Sequence, residues 1–348
     1  MGIGTACGAD SEAPGEGESA PVAEATENAF AERIAALAEE AGAAEKRNVR
    51  GEDDAWFFLT QELRHLGTGA FWERDWADVA KNGQDPVPFL AQFNDLLKEK
   101  GIRLIVAPVP PKAAVYPEKL FGDATVADVL SVRGFYDELE AAGLEVLDLE
   151  SALRQLKEET GEKVYCEQDT HWSPLACERT AELIAGLVAE EDWLKNEEKQ
   201  EFVRSEETTL TIRGDQVESG DDVPMEEIKV RYAGIGGGGS GPAAVAPAED
   251  SPVLLIGDSH TLVFWEGTSG GMHTDRAGLL DQLQYEFGFP IDHVGVRGSG
   301  SVMARRNLFR HADGKDGYWD DKKLVIWCFS AREFTQSMDK LLEIPLER

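Results

Sequence analysis

The sequence is short of cysteine, of basic residues and of long apolar runs, and each shortage closes off a class of protein. Only Cys7, Cys166, Cys177 and Cys328 occur among 348 residues, with no CxxC pair and no zinc-ligand spacing. A disulfide-stapled or zinc-stabilised scaffold is thereby excluded. Cys166 and Cys177 can be bridged in an oxidising compartment, and buried free thiols fit the sequence as well. Lys and Arg number 34 against 66 Asp and Glu, a formal net charge of −32. A nucleic-acid surface needs Lys and Arg to meet phosphates, so no nucleic-acid partner is expected. An enzyme acting on an acidic polymer would need a local basic strip to overcome the repulsion. No apolar stretch approaches the roughly 18 residues of a membrane span, so no transmembrane segment is expected. No His-x-x-x-His or Glu-x-x-His cluster stands out, so no metal is assigned.

Residues 1–45 read as a tether-like segment with a helix at its end. "MGIGTACGADSEAPGEGESAPVAEA" is small, acidic and rich in Gly, Pro, Ala and Ser, a composition that suits disorder. The spacing of Phe30, Ile34, Leu37 and Ala41 predicts a helix over 28–45. Small residues before Cys7, then Gly and an acidic spacer, are similar to the surroundings of a bacterial lipoprotein cleavage site, although the apolar segment such a site requires is missing. On that reading the protein is exported and lipid-anchored through Cys7.

From residue 46 onward apolar strands alternate with helical patterns. "DPVPFLAQFNDLLKEKG" reads as a helix closed by Gly101, with Lys98 and Lys100 where the dipole favours cations. "IRLIVAPVP" follows as a strand covered on both faces. "TVADVLSVRGFYDELEAAG" reads as helix, "LEVLDLE" as strand, "SALRQLKEETG" as helix and "KVYC" as a short strand. Ser173 and Pro174 make a cap and first-turn pair for the helix "PLACERTAELIAGLVAE". Residues 195–250 break the rhythm with a β excursion, "TLTIRGDQV" and "EIKVRYAG", and a glycine-rich loop. That loop lacks the Gly-Lys-Ser/Thr of a phosphate loop. Arg213-Gly214-Asp215 reads as a turn rather than an adhesion tripeptide. The alternation resumes with "PVLLIG" and runs through "AGLLDQLQYEFG", "PIDHVGV", "SVMARRNLFRHA" and "KKLVIWCFS" to a final helix, "AREFTQSMDKLL". The pattern predicts an α/β fold: a mainly parallel sheet between two helical layers, in one domain over 46–348 with 195–250 as a small β-rich insertion.

The informative junction is "VLLIGDSHTLVF". A buried strand ends in Gly257-Asp258-Ser259 and a helix is expected to begin at once, which exposes Ser259 at the carboxyl edge of the sheet, where ligands bind. Free N–H groups of that helix would help hold an oxyanion. A serine hydroxyl needs a base, and the base an orienting partner. "YCEQDTHWSP" supplies both in Asp169 and His171, whose i and i+2 side chains share one side of an extended segment. His260 adjoins Ser259 and points away from it. His273 lies in a Gly-rich loop within reach of the site, whereas His65, His293 and His311 read as surface or packing residues. Taken singly, Gly-Asp-Ser and Asp-x-His are each more often plain turns.

An apolar strand ending in Gly-Asp-Ser, with a separate Asp-x-His, resembles the SGNH hydrolase superfamily. In most of that superfamily the Asp/His block follows the serine; here it precedes it. That order resembles the SGNH-like domain of the alginate O-acetyltransferases of the AlgX/AlgJ type, as do "DDAWFFLTQEL", "GIRLIVAPVPPKAAVYPEKL" and "DKKLVIWCFSAREF", so that the likeness spans roughly residues 46–340. The resemblance implies an SGNH hydrolase-like three-layer α/β/α fold, with Ser259 as nucleophile, His171 as base and Asp169 as its partner. It also implies Gly298 or Gly300 as an oxyanion donor, while the superfamily's oxyanion asparagine has only Asn307 as a candidate. Arg297 and Arg332, at predicted strand ends, are candidates for binding a substrate carboxylate; pairing with acidic neighbours is the plainer alternative. The implied activity is O-acetylation of an exported polysaccharide through acetyl-Ser259, in the periplasm or another extracytoplasmic space. No cofactor is expected, the acetyl donor being supplied by a membrane-bound O-acyltransferase partner. A carbohydrate acetylesterase using the same residues, or an inactive polysaccharide-binding scaffold, are the alternatives. A polyuronate would be repelled unless Arg297, Arg305, Arg306 and Arg310 gather at the cleft.

Overall fold

A computed structural model describes residues 1, 20–236, 241–268, 271–298 and 300–348, with side chains from residue 29 onward. Cys7 and the centre of the glycine-rich loop at 237–240 lie outside the described residues. Strands β1 (Asn48–Arg50) and β2 (Phe57–Leu59) form an antiparallel pair at the start of the domain. Next come β3 (Arg103–Val109) and the two-residue β4 (Glu145–Val146). The insertion holds β5 (Phe202–Arg204), β6 (Thr208–Ile212), β7 (Glu226–Val230) and β8 (Ala233–Ile235). Finally there are β9 (Val253–Gly257), β10 (Asp292–Gly295) and β11 (Leu324–Ser330). The central sheet has five strands in the order β10-β9-β11-β3-β4, all parallel.

Side chains alternate across a strand with period two, and here that alternation sorts the apolar residues into two cores. Ile105, Ala107 and Val109 of β3, Val253 and Leu255 of β9, and Leu324, Ile326 and Cys328 of β11 face one core. Leu104 and Val106, Leu254 and Ile256, and Val325, Trp327 and Phe329 face the other. The first core is closed by the helices Ala20–Ala43, Leu149–Thr160, Pro174–Val188 and Leu279–Phe287. The second is closed by Val87–Glu99, Arg133–Ala141 and Ser301–Ala312. This is the expected three-layer arrangement. Ser173 does cap its helix, accepting from Ala176 N at 3.4 Å, and Gly161 ends the preceding helix at φ 68°.

Several local expectations are corrected. "KVYC" makes only the single bridge Tyr165–Trp172. The helix expected from Thr125 stops after one turn at Asp128, whose carboxylate turns back onto Thr125 N at 2.8 Å, and helix resumes at Arg133. The final helix is four residues, Glu333–Gln336. Beyond it Met338 and Leu342 are exposed, so no apolar stripe demands a helix, and the chain pairs with the segment at 82–84 instead, through Asn82 Nδ2 to Asp339 O and Leu341 N to Gln84 Oε1. In the insertion, β5 pairs with β8 and β6 with β7, both antiparallel, and Ile212, Ile228 and Val230 anchor the ribbon in the first core.

Candidate active site

The position of Ser259, the expected nucleophile, follows from β9. Gly257 ends the strand hard against β11; a Cβ there would lie 1.9 Å from Cys328 O, so the sharp exit requires glycine. Asp258 then locks the turn. Its Oδ1 accepts from His260 N at 2.9 Å and from the His260 ring at 3.0 Å, and its Oδ2 accepts from Ser330 N at 2.8 Å. Burial alone would raise the Asp258 pKa, but His260 and these N–H donors outweigh it and hold the carboxylate well below the usual range. The expected helix is only a short 3-10 turn, Ser259–Thr261. Asp258 caps the start of this turn through the His260 N–H, and the turn ends because Phe264 takes a positive φ of 61° and spends its N–H on Met272 O at 3.0 Å. No long helix dipole lies under Ser259.

The expected base meets the expected nucleophile across 88 residues of sequence. His171 Nε2 lies 2.8 Å from Ser259 Oγ, and His171 Nδ1 lies 2.6 Å from Asp169 Oδ1. Asp169 and His171 come together in a turn rather than an extended segment: Asp169 Oδ1 also accepts His171 N at 3.0 Å. This repeats the Asp258–His260 device beside it. His260 is buried under the base, its ring edge-on to His171 at 5.0 Å and to Trp172 at 5.6 Å. Burial raises the Asp169 carboxyl, but His171 and His273 prevail and hold it well below its ordinary value. For His171 burial pushes the pKa down; the Asp169 carboxylate, with Asp215 and Asp258 adding, more than reverses this and leaves it above the ordinary value. A carboxylate–imidazole–hydroxyl relay of this geometry can abstract the serine proton and return it.

Supports for the relay come from distant parts of the chain. Lys112, completely buried, donates its three ammonium protons to three carbonyls: Phe57 O at 2.9 Å, Glu167 O at 3.2 Å and Asp169 O at 2.5 Å. From the insertion, Asp215 N donates to Asp169 Oδ2 at 2.9 Å, while Asp215 Oδ1 accepts Thr170 N at 2.7 Å and Arg47 grips Oδ2 at 2.7 Å. Gly214 presses on the same loop; a Cβ on it would lie 2.0 Å from Gln168 O. The Arg-Gly-Asp stretch is thus a turn that buttresses Asp169. His273 Nε2 completes the set at 2.8 Å from Asp169 Oδ2. Asp169, His171 and Asp215 each offer a ligand atom within 4.8 Å of the others, the spacing of a cation site. Both Asp169 oxygens and both Asp215 oxygens are already engaged by N–H donors, so the donor set is organised for hydrogen bonding.

The remaining predicted residues are placed as follows. Gly298 is exposed at φ 64°, and Gly300 carries Glu333 against its Cα, a Cβ there falling 1.5 Å from Glu333 Oε2. Arg297 forks onto Glu266, with Nε at 2.8 Å. Arg332 contacts Glu62 at 3.3 Å and Ser330 Oγ at 2.9 Å. Among the described residues no hydrogen bond joins any of these four to Ser259 or His171. The four arginines that a polyuronate would need at the cleft do not all gather there: Arg305 is buried over the Phe93 ring and Arg306 faces Asp339, because the helix that carries them turns these side chains to different sides. Arg297 and Arg310 do share a cleft with Trp265, His293 and Asn307. Cys166, Cys177 and Cys328 are free, buried thiols. Lys112 and Asp215 escaped the sequence reading. The signal for Lys112 was a lysine placed directly after an apolar strand, at the edge of the sheet where sites form.

Comparison with known proteins places these observations. The family model described as "SGNH hydrolase-like domain, acetyltransferase AlgX" matches residues 49–331. A probable alginate O-acetylase AlgJ of Pseudomonas aeruginosa is 31% identical over 164 residues, covering 47% of this chain and 38% of that protein. The corresponding protein of Pseudomonas fluorescens is 27% identical over 246 residues, covering 68% and 58%. The chain thus spans well under two thirds of the length of these relatives. Among solved structures, the O-acetyltransferase domain of Pseudomonas putida AlgJ superposes with a TM-score of 0.60 at 21% identity, covering 84% of this chain and 93% of that one. Pseudomonas aeruginosa AlgX superposes with a TM-score of 0.55 at 20% identity, covering 84% and 63%.

Proposed function

The chain belongs to the family of SGNH hydrolase-like acetyltransferase domains of the AlgX type, and on that premise we propose that it is a serine-dependent O-acetyltransferase acting on a polysaccharide. The observation that carries the proposal is the 2.8 Å contact of His171 Nε2 with Ser259 Oγ, backed by Asp169 at 2.6 Å. Ser259 Oγ attacks the acetyl carbonyl of a donor ester as His171 Nε2 takes its proton; the donor oxygen leaves with that proton, and acetyl-Ser259 remains. A sugar hydroxyl then attacks the acetyl group, gives its proton to His171, and Ser259 leaves as the restored alcohol once His171 reprotonates it. Asp169 holds the Nδ1–H tautomer and stabilises the imidazolium in both halves.

The names of the relatives support an alginate-like polymer as acceptor. So does a cleft of about 620 Å³ that opens at Leu262, one turn past Ser259, and presents Trp265, Arg297, Asn307 and Arg310. In a chain of net charge −32 this sets Arg310 and a Glu266-paired Arg297 beside Trp265 near the Ser259 turn. The proposal includes an extracytoplasmic setting and an acetyl donor delivered by a membrane-bound acyltransferase. Among the described residues no helix is long and apolar enough to cross a membrane.

The test is mass spectrometry of the intact protein after exposure to an activated acetyl ester, then addition of candidate oligosaccharides. Acetyl-Ser259 followed by an acetylated sugar is the expected result. Free acetate alone in the presence of every acceptor would make the protein an esterase, and wild-type turnover in Ser259→Ala or His171→Ala would overturn the proposal.

A further inference from the structure

Asp169 serves two imidazoles. His171 takes one oxygen and His273 the other, with His273 Nε2 at 2.8 Å from Oδ2. Because the acceptor is an ionised carboxylate, His273 must carry its proton on Nε2, so the contact fixes that tautomer too. The His273 side chain is 9% exposed and stacks at a tilt on Phe264 at 5.6 Å. Its backbone lies in the left-handed region at φ 68°, and the same loop holds two further non-glycine residues there, Phe264 and Arg276. A chain keeps such conformations where the surroundings over-determine them, and they gather at functional sites. Here the loop is tied back on itself by Phe264 N to Met272 O at 3.0 Å and Ala277 N to Phe264 O at 3.0 Å. The segment that begins at the nucleophile therefore ends on the acid that orients the base.

We propose that His273 is a positioning residue of the relay, one that sets the orientation of Asp169 and, through it, the basicity of His171. The inference rests on the reading of Asp169, His171 and Ser259 given under Proposed function. Asp169 has four donors: His171 N, the His171 ring, Asp215 N and the His273 ring. Three come from backbone or from the base itself; His273 is the one independent side chain. Each donor draws charge from the carboxylate, so each weakens its hold on the imidazolium of His171. Removing His273 concentrates that charge and raises the His171 titration midpoint. The direction is the same whether His273 is neutral or cationic in the wild type. The other charged groups around the pair are Asp215 with its partner Arg47, Asp258 with His260, and Lys112, which acts on Asp169 through the backbone carbonyl. None of them is altered by substitution at 273.

The experiment follows the His171 ring by NMR across pH in the wild type and in His273→Ala, His273→Phe and His273→Gln, with the pH profile of acetyl-Ser259 formation alongside. Alanine and phenylalanine remove the donor; glutamine keeps an N–H near the Nε2 position. The expected result is a His171 midpoint raised by about half a unit in the first two, a roughly 10- to 100-fold slower acylation, the range set by the hydrogen-bonding partners of metal-bound histidines, and recovery of both in the glutamine variant. An unmoved midpoint overturns the inference, as does equal loss in all three variants, which would make His273 a packing residue only. Should the wild type form no acetyl-Ser259, the proposed function fails, and the NMR titration still decides this inference.

Discussion

Lys112 holds Asp169 by its backbone carbonyl, not its carboxylate: the ammonium sits 2.5 Å from the Asp169 carbonyl oxygen, while the carboxylate faces His171 and His273. A buried lysine that spends all three protons on the carbonyls of residues 57, 167 and 169 is a clamp on the loop that presents the base. Burial pushes its pKa down, and Glu226, Glu62 and Asp169 partly restore it.

Lys112→Met should therefore damage stability before it damages chemistry. Phe57 O and Asp169 O would lose this donor and Glu167 O would keep only Phe57 N, which costs about 2 kcal/mol or more. Urea denaturation measures it, and a change below about 1 kcal/mol would show that water replaces the ammonium without loss.

Gly214→Ala should slow acylation out of proportion to the size of a methyl group. The new Cβ would meet backbone atoms, Gln168 O at 2.0 Å and Asp169 N at 2.5 Å, and neither can swing aside as a side-chain tip can. Overpacking of this kind costs about 1–3 kcal/mol, and here the strain falls on the residue that orients His171. Steady-state turnover of an acetyl ester and a melting curve read both effects; wild-type values in both would mean that the insertion moves freely relative to the base.

Activity and this part of stability should respond to pH in opposite directions. His171 must be neutral to accept the serine proton, and its pKa lies above the ordinary value because Asp169, aided by Asp215 and Asp258, overcomes the effect of burial. The rate should fall as pH drops through that raised value. A raised folded-state pKa stabilises fully below the unfolded value of about 6.5 and is lost as pH climbs through the folded one. His171→Ala should thus lose more stability, relative to wild type, at pH 6 than at pH 9. A rate that holds constant down to pH 5 would argue against His171 as the base.

Glu150→Gln should stabilise the protein increasingly as pH rises from about 4.3 and fully above about 7. Burial raises the Glu150 pKa to about 7, with Arg154 opposing and Asp148 adding to the rise. The folded state therefore prefers the neutral acid: the benefit is complete below the unfolded pKa of about 4.3 and is lost as pH rises through 7. At pH 8.5 the amide should be more stable than wild type by about 1–3 kcal/mol, and at pH 4 the two should match. Differential scanning calorimetry at the two pH values is the check.

The strands of the sheet were legible because burial on both faces leaves uninterrupted apolar runs such as "LIVAPVP". The relay was legible because aspartate, histidine and serine carry their chemistry in their identity. What stayed hidden depends on tertiary contact. The place of Lys112 directly after an apolar strand is a signal, but it does not say which carbonyls the ammonium will hold, and an Arg-Gly-Asp turn gives no hint that its glycine abuts Gln168. The helix expected at Ser259 failed for a local reason: Asp258 caps its first turn, but Phe264 takes a left-handed backbone and pairs with Met272 and Ala277 instead, and such a break is invisible to hydrophobic spacing. His273 was in view only as a histidine in a glycine-rich loop, and its left-handed backbone is what aims it.

The base half of the relay precedes its nucleophile in the chain, and this bears on how the protein acquires its activity as it is made. When residue 171 leaves the ribosome, Lys112 is already available, but Asp215, Ser259 and His273 have yet to be synthesised. Until they arrive the Asp169 carboxylate lacks two of its four donors and cannot be buried without penalty. The segment around it must stay hydrated until roughly a hundred further residues emerge. β11, which lies between β9 and β3 in the sheet, comes later still. A truncated or stalled chain should accordingly show no partial activity, and the appearance of turnover should coincide with closure of the sheet.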